Sequence, residues 1–186
     1  MLLGFVYLVV LASVPLAGGR LTLLADLPLR RLWLALAAIL LQILVISVLP
    51  TGNHTIHTTL HLGSYVLLGA FAFANRAIVG VPIIALGGLL NFTAITANGG
   101  VMPTDPRVAD VAARLVGDSE FINSRPIEDA KLQFLGDAFA TPSWFPVENV
   151  FSVGDIILVL GVFVLVHAAC RSRIIPRRFA ATPAVV

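Results

Sequence analysis

Charge is scarce in this sequence. Only 12% of its 186 residues are Asp, Glu, Lys or Arg, against roughly a quarter in an ordinary water-soluble domain. Lysine is nearly absent: Lys131 stands against eleven arginines. The net charge is only +2, and no basic run is interleaved with aromatics, so a nucleic-acid partner is not expected. Cys170 is the one cysteine, which rules out an intrachain disulfide and leaves the redox compartment unread. There is no internal repeat and no low-complexity linker.

Apolar residues fill the space that charge leaves. They make up 58% of the chain, with a mean hydropathy of +0.96, above the 45–50% or so of a soluble domain. They come in five blocks, Leu2–Leu16, Leu32–Leu49, Leu60–Ala74, Ala77–Ile95 and Val153–Cys170. A helix needs about 20 apolar residues to cross a bilayer, so the blocks predict an all-α polytopic membrane bundle of about five transmembrane helices. The first block has no basic segment before it and reads as a retained helix rather than a signal peptide. Arg20, Arg30, Arg31, Arg76, Arg171, Arg173, Arg177 and Arg178 then fall on one side, which the positive-inside rule makes cytoplasmic. The N-terminus is expected outside and the C-terminus inside, with Trp33 and Trp144 near the interfaces. The stretch from Arg20 to Leu32 reads either as a segment lying along the inner surface or as a plain connector.

Four regions follow: 1–95 with four transmembrane helices, 96–152 as an extracytoplasmic helical loop domain, 153–170 as the fifth helix and 171–186 as a cytoplasmic tail. Within 96–152, Gly99, Gly100 and Pro103 force a turn. Asp105-Pro106 predicts a helix start, with the helix running to about Val116 and ending at Gly117. A second helix is expected from Ser124 and Pro126 to Gly136, followed by a rigid TPSWFP return.

Ionisable and polar residues in so apolar a chain are functional candidates. Asp137 and Asp155 are eighteen residues apart in the sequence, and a folded-back loop would bring the carboxyl groups together. Two carboxyls sharing a proton can activate water and protonate a leaving group. The same residues also read as a solvated loop aspartate and, through Ser152-x-x-Asp155, as a helix cap. His54, His57 and His61, at i, i+3 and i+7, would share one helical face and could hold a metal, or simply form a polar loop. Asn91 and Asn98 could bind substrate, Asn91 otherwise serving as interhelical glue and Asn98 as a helix stop. Trp144 and Phe145 would shape an apolar entrance for substrate. His167 reads as a satisfied histidine rather than a proton relay. Nothing in the sequence asks for a cofactor.

The pattern HLGSY, LNFTAITANGGVMP, FLGD and SVGDIILVLG resembles an uncharacterised family of bacterial polytopic membrane proteins. That resemblance implies a multi-pass protein of the bacterial cytoplasmic membrane, with no activity attached. GGLLN, then Asp137, then FSVGD is also similar in layout to lipoprotein signal peptidase, which implies Asp137 and Asp155 as a catalytic pair. The asparagine-x-x-aspartate-arginine motif of that family is missing after Asn91. The expected function is binding of a lipid or membrane partner through the outer domain. The alternative is an outer-leaflet aspartyl hydrolase acting on a lipid-linked or membrane-anchored substrate.

Overall fold

The computed structural model describes residues 2–44, 54–116, 124–145 and 147–176. Helix α1 covers Leu2–Leu16 and stops where Gly18 turns into the left-handed region, φ 72°. A 3₁₀ segment, Leu21–Asp26, leads to α2, Leu32–Ile43. Helix α3 is His54–Ala74, and α4 is Val81–Ala97 with a proline in its first turn, where a missing N–H leaves no intrahelical bond unmade. The connecting region holds β1 (Met102–Pro103), a 3₁₀ turn (Pro106–Val108), α5 (Ala109–Val116), β2 (Ser124–Arg125), a second 3₁₀ turn (Gln133–Leu135), β3 (Asp137–Ala140) and β4 (Val150–Ser152). Helix α6, Val153–Ala169, closes the fold.

Glycines decide how α4 meets α6. Gly80 and Gly87 on α4 face Gly161 and Gly154 on α6, each pair seven residues, about two turns, apart. A Cβ on Gly87 would lie 2.6 Å from the Gly154 carbonyl oxygen, and one on Gly161 would lie 2.6 Å from the Ile84 nitrogen. The two backbones touch because nothing stands between them. Helix α1 packs on the far end of α6, where Val10 and Val14 meet Val166 and Cys170. A second cluster joins Ala94, Ile95 and Met102 to Leu62, Tyr65 and Leu135, so α3, α4 and the connecting region share a core.

Two asparagines at helix ends hold the connections in place. Asn75 accepts from the Arg30 amide at 2.7 Å and donates to the Arg30 carbonyl at 2.9 Å. Asn98 does the same to Lys131, at 2.9 and 2.8 Å, and also donates to the Ala94 carbonyl. One amide side chain thus reads both polar groups of a distant residue and leaves neither unpaired.

The expectation of a multi-pass, all-α bundle in the bacterial cytoplasmic membrane does not stand. Among the described residues no helix is long and apolar enough to cross a membrane. Helices α1, α2, α4 and α6 have 15, 12, 17 and 17 residues, and even 17 residues rise only about 26 Å against a hydrocarbon core of about 30 Å. Helix α3 has 21 residues but opens with the polar run HTIHTTLH. The turn at Gly80 delays the start of α4 within its block, whereas α1 and α6 follow their blocks almost residue for residue and are short because the blocks are. The predicted orientation of the termini goes with the spans. Large apolar side chains nevertheless remain exposed along the helices, among them Leu8, Trp33, Leu36, Leu40 and Leu160.

The chain is not all-α either. Strands β1 and β2 pair in parallel, and β3 and β4 pair antiparallel. The first expected loop helix is present, with the Asp105 carboxylate accepting from the Arg107 amide at 2.8 Å; its expected stop at Gly117 lies outside the described residues. The second is reduced to the turn Gln133–Leu135. Asp129 and Leu132 hold φ of 54° and 53°, a left-handed conformation that a right-handed helix cannot pass through.

Candidate functional site

Asp155 is fixed by the start of its own helix and by α4. Ser152 caps α6: its hydroxyl accepts from the Asp155 amide at 3.0 Å, and the Asp155 carboxylate accepts from the Ser152 amide at 3.0 Å. Asn91 closes the ring, donating to Asp155 Oδ1 at 2.8 Å and accepting from the Ser152 hydroxyl at 2.8 Å. It reaches both because Gly154, lying against Asn91 Oδ1, has no Cβ to push it away. The capping box legible in Ser152-x-x-Asp155 is therefore real, and Asn91 extends it across the α4–α6 seam.

Asp137 arrives by a different route. It opens β3 directly opposite Ser152 on β4, so the sheet places it beside the residue that caps the Asp155 helix. Its main chain also bridges to Thr104, and its carbonyl accepts from the Asp105 amide at 2.9 Å. The side chain is 7% exposed. Ser124 Oγ donates to its Oδ2 at 2.5 Å, and the Thr104 hydroxyl meets Ser124 Oγ at 2.8 Å. Burial pushes the Asp137 carboxyl up to about 6 and the charge of Asp155 adds to this, while the Ser124 hydroxyl pulls the other way. The fold-back expected of the loop thus brings the two carboxyl groups within electrostatic reach of each other.

The chain has two tyrosines, Tyr7 feeling the charge of Asp155 and Tyr65 the charges of both carboxyls. Burial and the Asp155 charge raise the Tyr7 hydroxyl. Burial, Asp155 and Asp137 together push Tyr65 up to about 12. The Tyr65 ring packs against Phe92, next to Asn91, with centroids 5.7 Å apart. Both tyrosines therefore keep their protons at neutral pH.

The other candidates are placed differently. Asn98 spends its amide on Lys131 and Ala94, holding the connecting region rather than standing free. Trp144 is 79% exposed and meets Phe145, which in turn meets Phe5 of α1, at 5.9 and 5.7 Å. His61 is buried against Tyr65, and burial lowers its pKa. The side chains of His54 and His57 lie outside the described residues, and among the described residues no group of three His, Cys, Asp or Glu is arranged to hold a metal. His167 is fully buried, bonded to Ser13 at 3.0 Å and Ser172 at 2.8 Å.

Sequence reading missed Ser124, Thr104 and Tyr7. Neither Ser124 nor Thr104 sits in a periodic run, and only the β1–β2 pairing brings the two together.

No solved structure matches the chain. An uncharacterized protein of Thermotoga maritima is 32% identical over 102 residues, 54% of this chain and 58% of that protein, so the chain spans little more than half of that relative's length. Residues 26–167, which include His61, Tyr65, Asn91, Asp137 and Asp155, match the DUF5317 family. The chain belongs to that family, a family of unknown function.

Proposed function

We propose that the chain is an aspartyl hydrolase in which Asp137 and Asp155 are the acid and the base. The observation that carries this reading is the contrast between the two carboxyl groups. Asp137 is buried and pushed up to about 6, whereas Asp155 accepts from Asn91 and Ser152 at the start of a helix, where a negative charge is favoured. In a pair of carboxyls, the one whose environment raises its pKa is suited to the acid role and the one held charged to the base role.

The chemistry balances without a cofactor. Asp155 takes a proton from water as the water oxygen bonds to the acyl carbon, and Asp137 gives its proton to the carbonyl oxygen. On collapse the bond to the leaving group breaks. The leaving group takes the proton held by Asp155, and a hydroxyl of the tetrahedral intermediate returns one to Asp137. The products are a carboxylic acid and the protonated leaving group. Asn91, Ser152 and Ser124 are positioning residues. The likeness in layout to lipoprotein signal peptidase supports the same assignment, and Trp144 with Phe145 offers a surface for the apolar part of a lipid-linked substrate.

Hydrolysis of an apolar fluorogenic peptide library tests the reading. Asp137→Asn and Asp155→Asn should each remove turnover by at least about a hundredfold while unfolding cooperatively. Full turnover in either variant would overturn it. A second reading, binding of a lipid or protein partner through 96–152, is favoured by the exposure of Trp144 and of Phe134, 79% and 69%.

A further inference from the structure

On α3, His61 and Tyr65 stand one turn apart, their rings edge to face with centroids 5.4 Å apart, and Tyr65 feels the charges of Asp155 and Asp137. His61 is 7% exposed, and its Nδ1 is buried with no hydrogen-bond partner among the described residues. Leaving a buried polar atom unpaired is costly, so such an atom is a place where a ligand would be held. Phe92 and Leu62 beside them are apolar and offer no competing partner.

We propose that His61 and Tyr65 form the edge of the acid-pair site that reads a peptide group, Tyr65 donating its O–H to a substrate carbonyl and His61 Nδ1 accepting a backbone N–H. The protonation states suit the roles. Burial keeps His61 neutral, so a ring nitrogen can carry a lone pair, and burial, with the charges of Asp155 and Asp137 adding to it, keeps the proton on Tyr65. A neutral acceptor and a neutral donor on adjoining turns of one helix can take the N–H and the C=O of one peptide chain. An ester has the carbonyl but no N–H, so the substrate class is a peptide rather than an ester. The inference rests on the acid-pair reading for the chemistry next to this edge, but not for the binding itself.

Acetyl-Leu-Ala-Leu N-methylamide and the series in which each amide in turn becomes an ester are the probes. In the full chain one replacement should weaken binding by about tenfold, and the loss should vanish in His61→Phe. Tyr65→Phe should weaken the whole series. Independently of any variant, the ¹⁵N resonances of His61 should move on addition of the peptide. Equal affinities across the series, or His61 resonances that the peptide leaves unmoved, would overturn the proposal. Hydrolysis with an unresponsive His61 would retain the acid pair and remove this edge. Peptide binding that responds to His61 without any hydrolysis would do the reverse.

Discussion

Asp137 faces Ser152 across the β3–β4 ladder, and Ser152 is bonded both ways to Asp155. A strand register and a helix cap thereby bring together two carboxyls from separate elements.

Asp137 should make stability depend on pH. Its folded-state pKa lies near 6 against an ordinary 3.8, so the folded chain holds a proton there that the unfolded chain has lost. The contribution of Asp137 is fully present below about 3.8 and is lost as pH rises through about 6. Asp137→Asn, which stays neutral, should exceed the wild type by up to about 2–3 kcal/mol at pH 8 and show no such gain at pH 3.5. Urea unfolding at the two pH values measures this.

The glycine seam should separate two similar substitutions. A Cβ at Gly154 collides with Asn91 Oδ1, whereas one at Gly88 meets nothing within 4 Å. Gly154→Ala should lose about 1–3 kcal/mol and loosen the Asn91–Asp155 bond. Gly88→Ala should be neutral or gain up to about 1 kcal/mol through helix propensity. Thermal unfolding of the pair distinguishes them.

His167 has a tautomer fixed by its neighbours. Ser13 Oγ gives its proton to the Val10 carbonyl at 2.7 Å, so at His167 it accepts, and the ring carries its proton on Nε2. Nδ1 then accepts from Ser172. Burial lowers the His167 pKa, so its contribution is present above the unfolded value of about 6.5 and is lost as pH falls towards the lower folded value. Nitrogen NMR should show the Nε2–H form at pH 7. The unfolding midpoint of His167→Gln should lose this part of the pH dependence between 7 and 5.

Much of this was legible in the residues. Helix positions followed the apolar blocks, Ser152-x-x-Asp155 announced its cap, and Asp105-Pro106 its turn. The blocks of α1 and α6 already had nearly the length of the helices they became, and only the start of α4 depended on a turn, at Gly80, that the apolar run around it did not show. The strands were hidden for another reason: β1 and β2 have two residues each, too short to show alternation. Ser124 reached the site through that pairing, so its role could not be read from its neighbours in sequence. Asn91 was legible as polar within an apolar run, but its partner was not.

Asp137 and Asp155 act on one another, and carbon NMR of the Asp137 carboxyl against pH reads that interaction at its source. The wild-type group should titrate near 6. In Asp155→Asn, which removes the neighbouring charge, it should titrate lower. In Ser124→Ala, which removes a hydroxyl that favours the ionised form, it should titrate higher. An Asp137 that titrates near 3.8 and ignores both substitutions would contradict the account.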